Sequence, residues 1–208
     1  MELSELTVHA FANLLGSDAP APGGGSAAAL AGSLGAALSA MVSALTIGRK
    51  KYVETQALAQ EGFEKSSALK EAFLSAMEKD TEVFNTFSAA MGMPKETTEE
   101  KAARSAAMQA ALKLCIESPL RMMELSYEAI TLTDKLMGKT NVNALSDLGV
   151  SALMLGAAVQ GAWLNVLINL GSLKDEAAAA AYRSKGEQLL KDTLSLAQSV
   201  YARVEHEL

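Results

Sequence analysis

Cysteine, histidine, proline and aromatic residues are all scarce in this 208-residue chain, and each shortage excludes something. A single cysteine, Cys115, rules out a disulfide framework and a cysteine-based zinc site. The two histidines, His9 and His206, stand at opposite ends, which argues against a histidine-rich metal site or a histidine-driven triad. No metal ligand set is expected. Aromatics make up 5% of the residues and there are four prolines, a composition far from the β-branched and aromatic content of a sandwich or barrel. Eighteen basic residues against 24 acidic ones leave a net charge of −6, which disfavours a general nucleic-acid binder. What is plentiful is small and aliphatic: half the chain is hydrophobic, mostly Ala, Leu, Val and Met. With 20% charged residues and a mean hydropathy of +0.15, the chain is expected to form one ordered domain over residues 1–208.

Two stretches lack charge altogether. Ser26–Ile47 runs for 22 residues and Leu148–Leu173 for 26, each long enough to cross a bilayer as a helix. The first is mostly Ala, Gly and Ser, and the second carries Gln160, Asn165 and Asn169, which are costly in hydrocarbon. Two central helices of a soluble bundle, buried all round, are therefore expected instead of a membrane protein. Met1–Glu5 holds two Glu and no basic segment, unlike a signal peptide, so a cytoplasmic protein is expected.

Nearly every segment reads as helix, giving an all-α bundle of six to eight helices. Ser4 is placed to cap a first helix ending near Leu15, and Gly16–Gly25 is a loop by its Pro and Gly content. The first uncharged helix follows, to about Gly48. Residues 53–91 carry a long helical pattern, ended by Gly92 and Pro94. Thr97-Thr-Glu-Glu100 reads as a capping box. Ser118-Pro119 reads as the end of that helix and the start of another, which Gly138 ends. The polar loop Lys139–Asn143, the second uncharged helix and a final helix capped by Asp175 complete the chain.

The long pattern at 53–91 contains the most informative residue. Its apolar stripe runs Leu69, Phe73, Met77, then Phe84, Phe87 and Met91, and Asp80 falls in the seven-residue gap, three after Met77 and four before Phe84. A carboxylate on the core face, among Phe and Met, is desolvated; its pKa rises and it holds a proton near neutral pH, as a general acid must. Pairing with a buried Lys or Arg, or capping a neighbouring helix end, is the alternative.

Asp80 is not the only candidate. Pro22-Gly-Gly-Gly-Ser26 leads into a helix, so Gly23, Gly24, Gly25 and Ser26 can bring backbone N–H groups close to a ligand, or simply form a turn. Ala28, Gly32 and Ala36 are spaced by four, as are Gly35 and Ser39, which permits close helix contact. Arg49, Lys50 and Lys51 are either a solvated face or an attractor for an anionic substrate. Asn165 and Asn169 share one face of an apolar helix and bond either to neighbouring helices or to a ligand. Asn141, in the polar loop, and Asp147, which also complements a helix dipole, join the substrate-binding candidates.

Taken together, Pro22-Gly-Gly-Gly-Ser26, Thr46-Ile-Gly-Arg-Lys-Lys-Tyr52, Asp80-Thr-Glu-Val-Phe84, Ser146-Asp147 and Asn165-Val-Leu-Ile-Asn169-Leu170 resemble the formiminotransferase-cyclodeaminase C-terminal family, in order and over nearly the whole chain. The resemblance implies an all-helical, cyclodeaminase-like homodimer. It implies conversion of 5-formiminotetrahydrofolate to 5,10-methenyltetrahydrofolate with release of ammonia. Some stand-alone relatives are instead methenyltetrahydrofolate cyclohydrolases, which give 10-formyltetrahydrofolate. In the family the proposed proton donor occupies the position of Asp80. No cofactor is implied beyond the tetrahydrofolate substrate, with or without a polyglutamate tail. A non-enzymatic helical scaffold is the reading from a different class.

Overall fold

The computed structural model describes residues 2–208. Among them are six α-helices: α1 (Val8–Leu15), α2 (Gly24–Ala44), α3 (Gln56–Met91), α4 (Thr98–Leu136), α5 (Leu145–Leu170) and α6 (Glu176–Glu207). Short 3-10 turns precede α1, α3 and α5, at Leu3–Glu5, Lys50–Thr55 and Val142–Ala144. No strand occurs among the described residues.

The small residues of α2 explain how the bundle closes. α2 lies between α3 and α5 and runs antiparallel to both. Toward α3, the Phe73 ring fills the space that a Cβ at Gly32 would need. Toward α5, Leu155 does the same at Gly35, and Ala28 sits against Gly161. Helices approach this closely only where side chains are absent. A knot of hydroxyls ties the centre. Ser39 Oγ lies 2.8 Å from Thr133 Oγ1 of α4 and 3.0 Å from Ser151 Oγ of α5, and Ser151 donates to the Gly35 carbonyl at 2.7 Å. α4 and α6 then pack on α5, burying Ile116, Met122, Met123, Leu125, Ile130 and Val200.

α2 and α5 are central, yet each leaves one apolar stripe uncovered. On α2 it is Leu34, Met41 and Leu45; on α5 it is Val150, Leu153, Leu164 and Ile168, the last two 66% and 75% exposed. The first steps by seven and four and the second by three, eleven and four, spacings that keep each stripe on one helix face.

Three boundaries differ from the sequence expectation. Ser4 does not cap α1: its N–H donates to Glu78 at 2.8 Å inside the 3-10 turn, and the Thr7 side chain accepts from Ala10 as the cap. The extra turn lets both Leu3 and Phe11 reach the core. The pattern at 53–91 becomes a 3-10 turn with a non-helical Tyr52, followed by 36 residues of α3. Ser118-Pro119 does not divide a helix; Pro119 lies inside the 39-residue α4. Proline removes one helical hydrogen bond and leaves the carbonyl four residues earlier without a donor. Here that carbonyl, of Cys115, accepts from Asn169 Nδ2 at 3.1 Å, and the helix continues. The capping box at Thr97 and Glu100 and the Asp175 cap form as expected.

Candidate active site

The site forms where the start of α2 meets the middle of α3 and the end of α5. Gly23, the N-cap of α2, has no side chain to cap the first turn. Asp80 of α3 takes that place: its Oδ2 accepts from Ser26 Oγ at 3.1 Å, and the Ser26 backbone N–H also donates to the carboxyl. The approach depends on Gly25, because a Cβ there would collide with the Asp80 carboxylate. Asp80 therefore does cap a neighbouring helix, one of the readings its position allowed.

Capping is not the whole of its environment. No Lys or Arg nitrogen among the described residues forms a salt bridge with Asp80. Burial raises its pKa above the usual carboxylate value, and the two Ser26 hydrogen bonds pull it back only in part. The carboxyl opens on a cavity of about 410 Å³, walled by the glycine loop, Val83, Phe84, Phe87, Cys115, Asn165 and Asn169. An apolar wall with a few convergent polar groups is the usual build of a small-molecule site. A larger hollow of about 590 Å³, between α3 and α4, holds no candidate from the sequence. Both of its acids are paired, Glu61 with Lys65 and Glu128 with Arg121, so it offers no isolated acid.

Cys115, the one cysteine of the chain, also lines the cavity, where its thiolate is disfavoured. Burial, and then the charge of Asp80, push its thiol up to about 11, and Sγ donates to the Val83 carbonyl at 3.6 Å. Thr81 was not singled out from the sequence. Its hydroxyl is buried at the cavity wall with no partner among the described residues, and only the fold reveals that.

With this geometry in hand, comparison with known proteins is decisive. Residues 7–188 match the Formiminotransferase-cyclodeaminase family. The chain belongs to that family. It is 41% identical over 199 residues to the methenyltetrahydrofolate cyclohydrolase of Methylorubrum extorquens, covering 96% of each chain. It is 33% identical over 198 residues to the formimidoyltransferase-cyclodeaminase of Sus scrofa, covering 95% of this chain but only 37% of that one. The crystal structure of formiminotetrahydrofolate cyclodeaminase from Thermotoga maritima superposes with a TM-score of 0.83 at 24% identity, over 99% of this chain and 96% of that one, and establishes the common fold.

The candidates that the family resemblance drew together fall into two groups. Gly23, Gly24, Gly25, Asp80, Asn165 and Asn169 line one cavity, and Ser26 bonds to Asp80 beside it. Arg49, Lys50, Lys51, Asn141 and Asp147 do not reach it within one chain. They lie beyond the far end of α2 and at the start of α5, the length of α2 away, or about 30 Å. Asn141 spends its groups on local structure there. Its N–H donates to Thr46 Oγ1 at 2.9 Å, its Nδ2 to the Leu45 carbonyl at 3.2 Å, and its Oδ1 accepts from Asn143 at 3.1 Å. Arg49, Lys50 and Lys51 are exposed around Tyr52, with Lys51 Nζ 5.5 Å from the ring centre. Asp147 occupies the first turn of α5.

Proposed function

We propose that this chain is a folate enzyme working at the one-carbon bridge between N5 and N10, and that its principal reaction is that of a methenyltetrahydrofolate cyclohydrolase. The observation that carries the chemistry is Asp80, the one carboxyl lining a largely apolar cavity, held there by Ser26 without a salt bridge and with its pKa raised by burial. The reaction is addition followed by elimination, and proton transfer is the help it needs. In its ionised form Asp80 takes a proton from water as the oxygen bonds to the bridging carbon. The neutral acid then gives that proton to N5 as the N5–carbon bond breaks. The second proton of water is released, leaving 10-formyltetrahydrofolate. A carboxyl whose pKa is raised by burial serves both steps.

The choice of hydration is supported by 41% identity over 96% of a cyclohydrolase. Cyclodeamination is the second reading, supported by the identity to the bifunctional relatives over 37% of their length. There N10 adds to the formimino carbon, and neutral Asp80 protonates the departing amine so that ammonia leaves. The methenyl chromophore separates the two: it disappears in the first assay and appears from 5-formiminotetrahydrofolate in the second. A purified, folded protein inert in both assays would overturn the functional reading and favour a scaffold.

The active form is a homodimer closed over the stripes of α2 and α5. Their paired exposed apolar faces, with Leu153, Leu164 and Ile168 at the surface, support this. A two-fold axis across the stripes sets them antiparallel, which carries the basic cluster of one copy toward the Asp80 cavity of the other. Arg49, Lys50 and Lys51 then meet the anionic glutamate tail of the folate.

A further inference from the structure

The amides of Asn165 and Asn169 are oriented by the helices around them. Asn169 Nδ2 donates to the Cys115 carbonyl at 3.1 Å and to the Asn165 carbonyl at 2.8 Å, so both of its hydrogens are used. Asn165 Nδ2 donates to the Gly161 carbonyl at 2.9 Å. Turning either amide over would press its oxygen against these carbonyl oxygens, a repulsive contact. Each Oδ1 is thereby the free end, and no donor among the described residues reaches either one, although both residues line the cavity.

Pro119 leaves the Cys115 carbonyl without a helical N–H, so the Asn169 amide is its one side-chain donor among the described residues. With any other residue at 119, the backbone N–H would compete for that carbonyl and weaken its hold on the Asn169 amide.

We propose that Pro119 is a positioning residue of the site: by freeing the Cys115 carbonyl it locks the Asn169 amide, so that Asn169 and Asn165 present two acceptor oxygens that select a ring bearing N–H donors. Given the folate reading above, on which this rests, the ring is the 2-amino-4-oxo pteridine, whose amino group and ring N–H are such donors. The asparagines recognise that edge and leave proton transfer to Asp80. Pro119 touches no ligand and acts through Asn169.

The test compares wild type, Pro119→Ala and Asn169→Ala with the natural methenyl-folate and with an analogue carrying a methyl group in place of the ring amino group. Wild type should show a KM about tenfold higher for the analogue, the usual cost of one lost neutral hydrogen bond. Asn169→Ala should raise KM for the natural substrate about tenfold, leave kcat within about threefold, and no longer discriminate between the two compounds. Pro119→Ala should weaken the discrimination in the same direction while its melting temperature holds or rises, since Ala favours the helix. If Pro119→Ala does not fold, Asn169→Ala carries the test of acceptor recognition, and Pro119→Gly, which also restores the N–H, carries that of positioning. Wild-type discrimination in the folded variants overturns the inference and leaves the folate reading standing. A wild type that turns over neither folate overturns both.

Discussion

The space that a side chain at Gly25 would occupy is taken by the carboxylate of Asp80. α2 and α3 can bring the acid to the first turn of α2 only because residue 25 is bare. Gly25→Ala must therefore displace the carboxyl from Ser26 and from its place in the cavity wall. The expected result is a loss of kcat of about 10²-fold, the effect of moving a catalytic group by roughly an ångström. Circular dichroism should remain helical, since Ala suits the first turn of a helix. A fully active Gly25→Ala enzyme would mean that this carboxyl does not need its observed position.

Removing the acid should separate activity from stability. Asp80→Asn keeps the shape and abolishes proton transfer, so turnover should fall by about 10²- to 10⁴-fold. Burial raises the Asp80 pKa above its ordinary 3.8, so between the two values the folded protein holds a proton that the unfolded chain has released. That stabilisation is complete below the unfolded value and is lost as pH rises through the folded one. The amide stays neutral throughout. Melting curves should thus show Asp80→Asn gaining on wild type as pH rises above 3.8 and through the folded-state value. A constant difference across that range would contradict the raised pKa.

Asp80 was legible because a helical stripe exposes any polar residue that interrupts it; Met77 and Phe84 bracket the position without reference to the rest of the fold. Asn165 and Asn169 were legible for the same reason, being four apart on an apolar helix. The sequence suggests a break at Ser118-Pro119 that the fold does not make, because a proline signal is local, while the donor that satisfies Cys115 comes from Asn169, on another helix. Thr81 gave no signal, since its isolation depends on what packs around its hydroxyl. The density of the basic cluster at Arg49, Lys50 and Lys51 is plain in the sequence, but its distance from Asp80 follows from the direction of α2, which composition does not encode.

Ser26 sets the working range of the acid. Its hydroxyl and its N–H both lower the Asp80 pKa against the larger effect of burial. Ser26→Ala removes the hydroxyl and keeps the N–H, so the pKa should move further up. In the hydration direction Asp80 must first be ionised to accept a proton. The rising limb of kcat/KM against pH should therefore shift to higher pH in Ser26→Ala, with a smaller change at the alkaline plateau. A limb that stays in place would assign it to another group.

The exposed stripe of α5 offers the sharpest test of assembly. Leu153 and Leu164 are 51% and 66% exposed in one chain, and an Arg at either position should be tolerated by a monomer. In a homodimer closed over that face, Leu153→Arg with Leu164→Arg buries two unpaired charges per copy and should drive dissociation, read by light scattering on a size-exclusion column. Because Arg49, Lys50 and Lys51 lie about the length of α2 from Asp80 within one chain, the separated copies also lose the basic groups proposed to hold the substrate tail. Their KM should rise more for a polyglutamylated folate than for the monoglutamate, and the salt dependence of KM should flatten. A double variant that stays dimeric, or a wild type that is monomeric at assay concentration, would place the basic cluster outside the working site.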